Sequence, residues 1–161
     1  MPSKSLGCYF FLYIVINGYF GFNGNNMRKC NSIFLIDDSE LDNYANRRLI
    51  EKLDITSDLK IFKNGLEAVN YFKILSQIDS LPDLILLDLS MPVMDGFSFL
   101  KTFRDMRIKN SEKIKIVVLS SSSSPVDIQK AQALGCDEYL EKPLSKENIR
   151  EIYDKVFHDV I

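Results

Sequence analysis

From Ser32 onward, short apolar runs alternate with longer stretches whose apolar residues return every three or four positions. This alternation builds βα units, because a parallel strand buried on both faces reads as a brief apolar run and each crossover needs an amphipathic helix. Five strands are expected, at Ile33 to Ile36, Leu59 to Phe62, Leu84 to Leu87, Ile116 to Leu119 and Glu138 to Leu140. Between them, Leu41, Ala45, Leu49 and Leu53 recur at i+4 and Leu66, Val69, Phe72 and Leu75 at i+3, while Ile149, Ile152, Tyr153, Val156 and Val160 form a last stripe. These stripes are expected to face the core. Ser39 with Asp42, Asn64 with Glu67, and Ser124 ahead of Pro125 and Asp127 supply helix-start chemistry where the apolar periods begin. Right-handed crossovers must cover both faces of the sheet, so the expected fold is α/β: a doubly wound five-stranded parallel sheet of order 2-1-3-4-5, with ligands at the carboxyl ends of the strands.

Several function classes are set aside by composition. Twenty Lys plus Arg against 22 Asp plus Glu, a net charge of -2, provide no basic field for nucleic acid. Cys8, Cys30 and Cys136 form no CxxC pair and read as thiols of a reducing compartment. His158 is the sole histidine, with no partner at ligand or triad spacing, and is read as a solvated helix-end residue.

Residues 1 to 26 differ sharply from the rest, with no acidic residue, one basic residue (Lys4), seven aromatics and four of the seven glycines. Leu6 to Ile16 is as long as a signal-peptide core, yet no A-x-A-like site follows, and a membrane span needs about 20 apolar residues. Three readings stand: translated leader upstream of a true start at Met27, a membrane-associating anchor, or a loosely packed apolar extension. The domain proper is taken as 27 to 161. Because the chain ends one helix after Lys142, no separate output domain is expected.

The polar residues that end the strands converge on one edge of such a sheet. Asp37 and Asp38 follow the first strand, Asp88 ends the third, Ser120 ends the fourth, and Lys142 with Pro143 follows the fifth. Singly, an Asp after a strand is a turn or cap residue. Together, three carboxylates, a hydroxyl and a lysine on four different strands call for a shared chemistry. Close carboxylates repel unless a cation intervenes, and Mg²⁺, held by one or two carboxylates and several waters, suits Asp38 and Asp88 as direct ligands with Asp37 acting through water. Such a site can bind a phosphoryl group, with Lys142 pairing one oxygen, Ser120 donating to another, and Asp88 placed to attack phosphorus.

On these residues, on the run from Asp88 through Ser90, Pro92 and Asp95 to Gly96, and on Tyr139-Leu140-Glu141-Lys142-Pro143, residues 31 to 158 resemble the response regulator receiver domain, a flavodoxin-like fold. The resemblance implies that Asp88 is the phosphoacceptor, and that Asp37, Asp38 and the backbone carbonyl of Ser90 hold Mg²⁺ beside it. It further implies that Lys142 contacts the phosphoryl group and that Ser120 and Tyr139 are the switch residues, acting on the face made by the fourth and fifth helices. By the same resemblance, Ser90 and Ser122 occupy positions that in the family tune loss of the acyl phosphate, while Ser121, Ser123 and Ser124 read as a polar loop. The implied partners are a sensor histidine kinase or histidine phosphotransfer protein and a downstream protein target, and the implied location is cytoplasmic. Two rivals remain: an interaction module that needs no phosphorylation, against which the retained acidic, hydroxyl and lysine residues speak, and a Mg²⁺-dependent phosphohydrolase, whose haloacid dehalogenase form needs an Asp where Ser90 stands. Lys142, taken as an exposed strand-end residue, is expected to contribute to switching more than to folding.

Overall fold

A computed structural model of the protein describes residues 29–75 and 80–157. Residues 1 to 26, with the candidate start at Met27, lie outside the described residues, as do Cys8, His158 and Val160. Five parallel strands, β1 (Ile33–Ile36), β2 (Leu59–Phe62), β3 (Leu84–Asp88), β4 (Lys115–Ser120) and β5 (Glu138–Glu141), alternate with α1 (Glu40–Leu53), α2 (Gly65–Leu75), α3 (Gly96–Asp105), α4 (Pro125–Ala133) and α5 (Lys146–Phe157). The strand order is β2-β1-β3-β4-β5, as the sequence predicts. β3 and β4 each run one residue further than their apolar runs, so Asp88 and Ser120 are themselves the last residues of strands.

Successive side chains of a strand point to opposite faces, and the core divides accordingly. Phe34, Ile36, Ile85, Leu87, Ile116 and Val118 join Val69 and Phe72 of α2, Phe99 and Phe103 of α3, and Ala131 of α4. The alternate strand residues Ile33, Leu35, Leu84, Leu86, Val117 and Leu119 pack against Ile50 of α1 and Ile149, Ile152 and Tyr153 of α5. β1 and β3 are buried at every position, as strands covered on both faces must be. An aromatic cluster fills the first layer, with Phe72 and Phe103 edge-on at 4.8 Å between ring centroids.

Two predicted stripes are corrected. In α1 the buried residues are Asn43, Asn46 and Ile50, while Leu41 is 77% exposed and Ala45 also faces solvent. The sheet selects a face rotated from the i+4 leucine row, on which only Leu49 and Leu53 reach the core edge. In α2 the row 65, 68, 69, 72, 75 is buried and Leu66 is left at the rim. The cap expectations divide as well. Ser39 Oγ accepts from Asp42 N, and Asn64 Oδ1 from Glu67 N at 2.9 Å. Ser124 is the N-cap of α4 but its side chain makes no cap bond; its own N–H donates to Ser122 Oγ instead.

Candidate functional site

Asp37 leaves β1 almost wholly buried and is fixed on three sides. Its N–H donates to Phe62 O at 3.0 Å, its Oδ1 accepts from Ser39 N at 2.8 Å, and its carbonyl accepts from Asn43 Nδ2 at 2.7 Å. Asp38, next in the chain, faces solvent. Asp88 closes β3, 5% exposed, and its Oδ2 accepts from the backbone N–H of Ser90, a residue at the surface, at 3.2 Å. Parallel pairing sets Asp88 opposite Leu119, so that Ser120, itself buried, stands one step beyond on the neighbouring strand.

Carboxylate oxygens of Asp37, Asp38 and Asp88 all lie within 4.8 Å of one another. Lys142 crosses from the far edge of the sheet to meet them. Its Nζ is 2.7 Å from Asp37 Oδ2, 2.9 Å from Asp42 Oδ2 and 3.3 Å from Asp88 Oδ1. Lys142 N donates to Ser120 O, which ties the lysine's backbone to the end of β4. The side chain is only 17% exposed, correcting its expected exposure: a lysine that neutralises two buried carboxylates is drawn in with them.

Burial pushes the Asp88 carboxyl above its ordinary pKa; the Lys142 charge pulls it part of the way back, and nearby Asp37 adds to the rise. For Lys142, burial works against the charge, but hydrogen bonds to Asp37 and Asp42 and the fields of Asp88 and Asp37 outweigh it, so the ammonium stands well above its usual value. It is a permanent cation at any physiological pH. One lysine meets three carboxylates, and Asp38 adds a fourth beside two of them, with Asp88 held above its normal pKa. This donor set, all oxygen and net negative, fits a hard divalent cation such as Mg²⁺.

The two switch candidates are linked through Ser122. Ser120 Oγ accepts from Ser122 N at 3.1 Å, and the half-buried Tyr139 donates its hydroxyl to Ser122 O at 2.7 Å. Ser122 Oγ donates to Asp127 Oδ2 of α4 at 2.6 Å, so Ser122 has a fixed partner rather than facing open solvent. Thus Asp37, Asp38, Asp88 and Lys142 meet directly, Ser120 and Ser90 border them, and Tyr139 joins through the loop after β4. Asp42, named from spacing only as the helix-start partner of Ser39, and Asn43, not named at all, belong to the same site. Asp42 reads locally as an acidic residue of a helix's first turn; the one available signal for Asn43 and Asn46 was two amides in a helix one turn from an apolar period.

The family model for the response regulator receiver domain matches residues 33–154. A two-component response regulator of Arabidopsis thaliana is 32% identical over 120 residues, covering 69% of this chain and 77% of that protein. Other relatives are far longer: a hybrid signal transduction histidine kinase of Dictyostelium discoideum is 30% identical over 123 residues, 76% of this chain and 3% of the kinase. Among solved structures, a two-component response regulator from Cytophaga hutchinsonii superposes with a TM-score of 0.74 at 30% identity, covering 81% of this chain and 98% of that one. The receiver domain of a Saccharomyces cerevisiae response regulator, co-crystallised with its histidine phosphotransfer protein, gives 0.69 at 28% identity, covering 84% and 94%.

Proposed function

The chain belongs to the response regulator receiver domain family of two-component signalling, and on that premise we propose that Asp88 accepts a phosphoryl group from a phosphohistidine and that the chain signals by contact with a protein target. The observation that carries this reading is the placement of a buried Asp88 beside Lys142 and two further carboxylates at the ends of the strands. Attack by an Asp88 carboxylate oxygen forms the O–P bond as the N–P bond of the donor breaks. The attacking carboxylate carries no proton to remove, so the chain needs no base of its own, and the departing imidazole nitrogen keeps the electron pair and is protonated from water. Asp37, Asp38, Asp88 and the Ser90 carbonyl would hold Mg²⁺, which when bound offsets the charge of the incoming phosphoryl oxygens. Lys142 presents an ammonium to the same oxygens, and Ser120 offers a hydroxyl donor at the end of β4.

Output then follows from a two-state loop. A Ser120 drawn toward the phosphoryl group gives up or bends its bond from Ser122 N, and Ser122 is also the acceptor that holds the Tyr139 hydroxyl. The population shifts by as much as the phosphoryl group favours one arrangement over the other. In this reading the donor is a sensor histidine kinase or a histidine phosphotransfer protein, and the kind of complex solved for the yeast relative is the model for that encounter. The chain turns over no external substrate, catalysing only its own phosphorylation and dephosphorylation, and acts in the cytoplasm without nucleic acid. No helix of the described residues is long and apolar enough to cross a membrane.

The test is the intact mass of the full chain and of Asp88→Asn after incubation with acetyl phosphate, with and without Mg²⁺. One phosphoryl adduct that requires both Asp88 and Mg²⁺ is expected. No adduct, together with no binding of beryllofluoride, would replace this reading with a phosphorylation-independent interaction module.

A further inference from the structure

Lys142 has three N–H donors and three carboxylate partners, and one of these, Asp42, stands outside the clustered carboxylates of Asp37, Asp38 and Asp88. The position of Asp42 is set by α1. Ser39 is the N-cap and Asp42 the third helical residue, its N–H donating to Ser39 Oγ at 3.2 Å. An acidic side chain at this position ordinarily reaches back to the N–H of the cap residue. Here that N–H is already taken by Asp37 Oδ1, at 2.8 Å. The Asp42 carboxylate is therefore released from capping and turns to Lys142, 100 residues away in the chain.

Asp37 and Asp88 cannot hold Lys142 unchanged once the site is loaded. A divalent cation on their oxygens competes with the ammonium and repels it, and phosphorylation turns the Asp88 carboxylate into an acyl phosphate whose charge lies on the phosphoryl oxygens. Asp42 stands outside the clustered carboxylates and is not among the residues that would hold the cation or take the phosphoryl group. Resting on the phosphoacceptor reading above, we propose that Asp42 is a positioning residue that anchors Lys142 at the acceptor while the acidic cluster is occupied. It acts through the lysine and touches no phosphoryl atom. A four-carbon side chain left without this anchor would sample many rotamers, and the loss of preorganisation would appear as weaker phosphoryl binding rather than weaker cation binding.

The test is beryllofluoride and Mg²⁺ affinity for the full chain, Asp42→Asn, Lys142→Ala and the double variant, together with the ¹⁵N signal of the Lys142 ammonium in metal-free protein. Because Asp42 is partly exposed, the expected loss in beryllofluoride affinity for Asp42→Asn is about fivefold, with Mg²⁺ affinity moving less than about twofold. The Lys142 ammonium signal, sharp in the wild type, broadens in Asp42→Asn, and Asp42→Asn has no effect in the Lys142→Ala background. Unchanged beryllofluoride affinity in Asp42→Asn, or an equal loss when Lys142 is absent, overturns the anchor while leaving the phosphoacceptor reading intact. Failure of the wild type itself to bind beryllofluoride with Mg²⁺ overturns both.

Discussion

Substituting Gly96 by Ala tests how tightly the loop after the acceptor strand is built. Gly96 opens α3 and donates its N–H to Leu89 O at 3.0 Å, so the chain folds back directly onto the end of β3. A Cβ placed on Gly96 would collide with the backbone carbonyl oxygen of Asp88 and lie 2.8 Å from Leu89 Cα and 3.0 Å from Leu89 Cδ2. Only the last of these can swing aside; the other two are backbone, one of them in the acceptor residue. Relief demands displacement of residues 89–95 or of the acceptor's own peptide. Overpacking of this kind costs about 1 to 3 kcal/mol, and the better helix propensity of Ala returns less than about 1 kcal/mol at a first helical position. A net loss of about 2 kcal/mol is expected, which lowers Tm by roughly 6 to 10 °C in a domain of this size. Gly135→Ala is the control: Gly135 has φ of 94° but nothing within 4 Å of an added Cβ, so only left-handed backbone strain of about 1 kcal/mol applies. Urea unfolding of both variants, paired with beryllofluoride binding, separates the cases. Gly96→Ala should lose stability and binding together, Gly135→Ala a little stability alone. A Gly96→Ala protein within about 0.5 kcal/mol of wild type, with binding intact, would refute the contact argument.

Three further outcomes follow from the site and core. Asp88→Asn should be more stable than wild type in metal-free buffer at neutral pH, because the folded pKa of Asp88 lies above its ordinary 3.8. As pH rises from 3.8 through the raised folded value, the unfolded chain gives up its proton first and the wild type loses stability, so the gap should open across that window and stay constant above it; paired urea midpoints that do not diverge would contradict this. Lys142→Ala leaves Asp37 and Asp88 buried without a cation and should cost about 3 kcal/mol in metal-free buffer, with part recovered on adding Mg²⁺, as read by thermal unfolding with and without the ion. Phe72→Ala empties the centre of the aromatic cluster between Phe34 and Phe103 and should cost about 3 to 5 kcal/mol in chemical denaturation, with phosphorylation by acetyl phosphate retained under conditions where the variant stays folded.

The order of strands and helices was legible because it is written in short-range chemistry. Period-2 burial collapses into apolar runs in doubly covered strands, helical period marks the crossovers, and Ser39 and Asn64 mark where helices begin. The chemical residues of the site were legible for a related reason: polar residues ending apolar strands must share an edge in a parallel sheet, whatever the details of packing. Periodicity alone could not set the phase of α1. Its leucine row and its asparagine row are both helical stripes, and the sheet took the row in which Asn43 reaches the carbonyl of Asp37. Nor could it assign the partner of Asp42 or the burial of Lys142, since Ser39 and Asp37 satisfy the helix start locally and release Asp42 for a lysine on the far side of the sheet. The amino-acid sequence by itself therefore determined the class of fold and which residues meet at its edge. Only the tertiary structure decided which helix face is core, which hydroxyl of the serine run is anchored, and how one buried ammonium is shared among three carboxylates, because those outcomes depend on packing between segments whose local patterns leave the choice open.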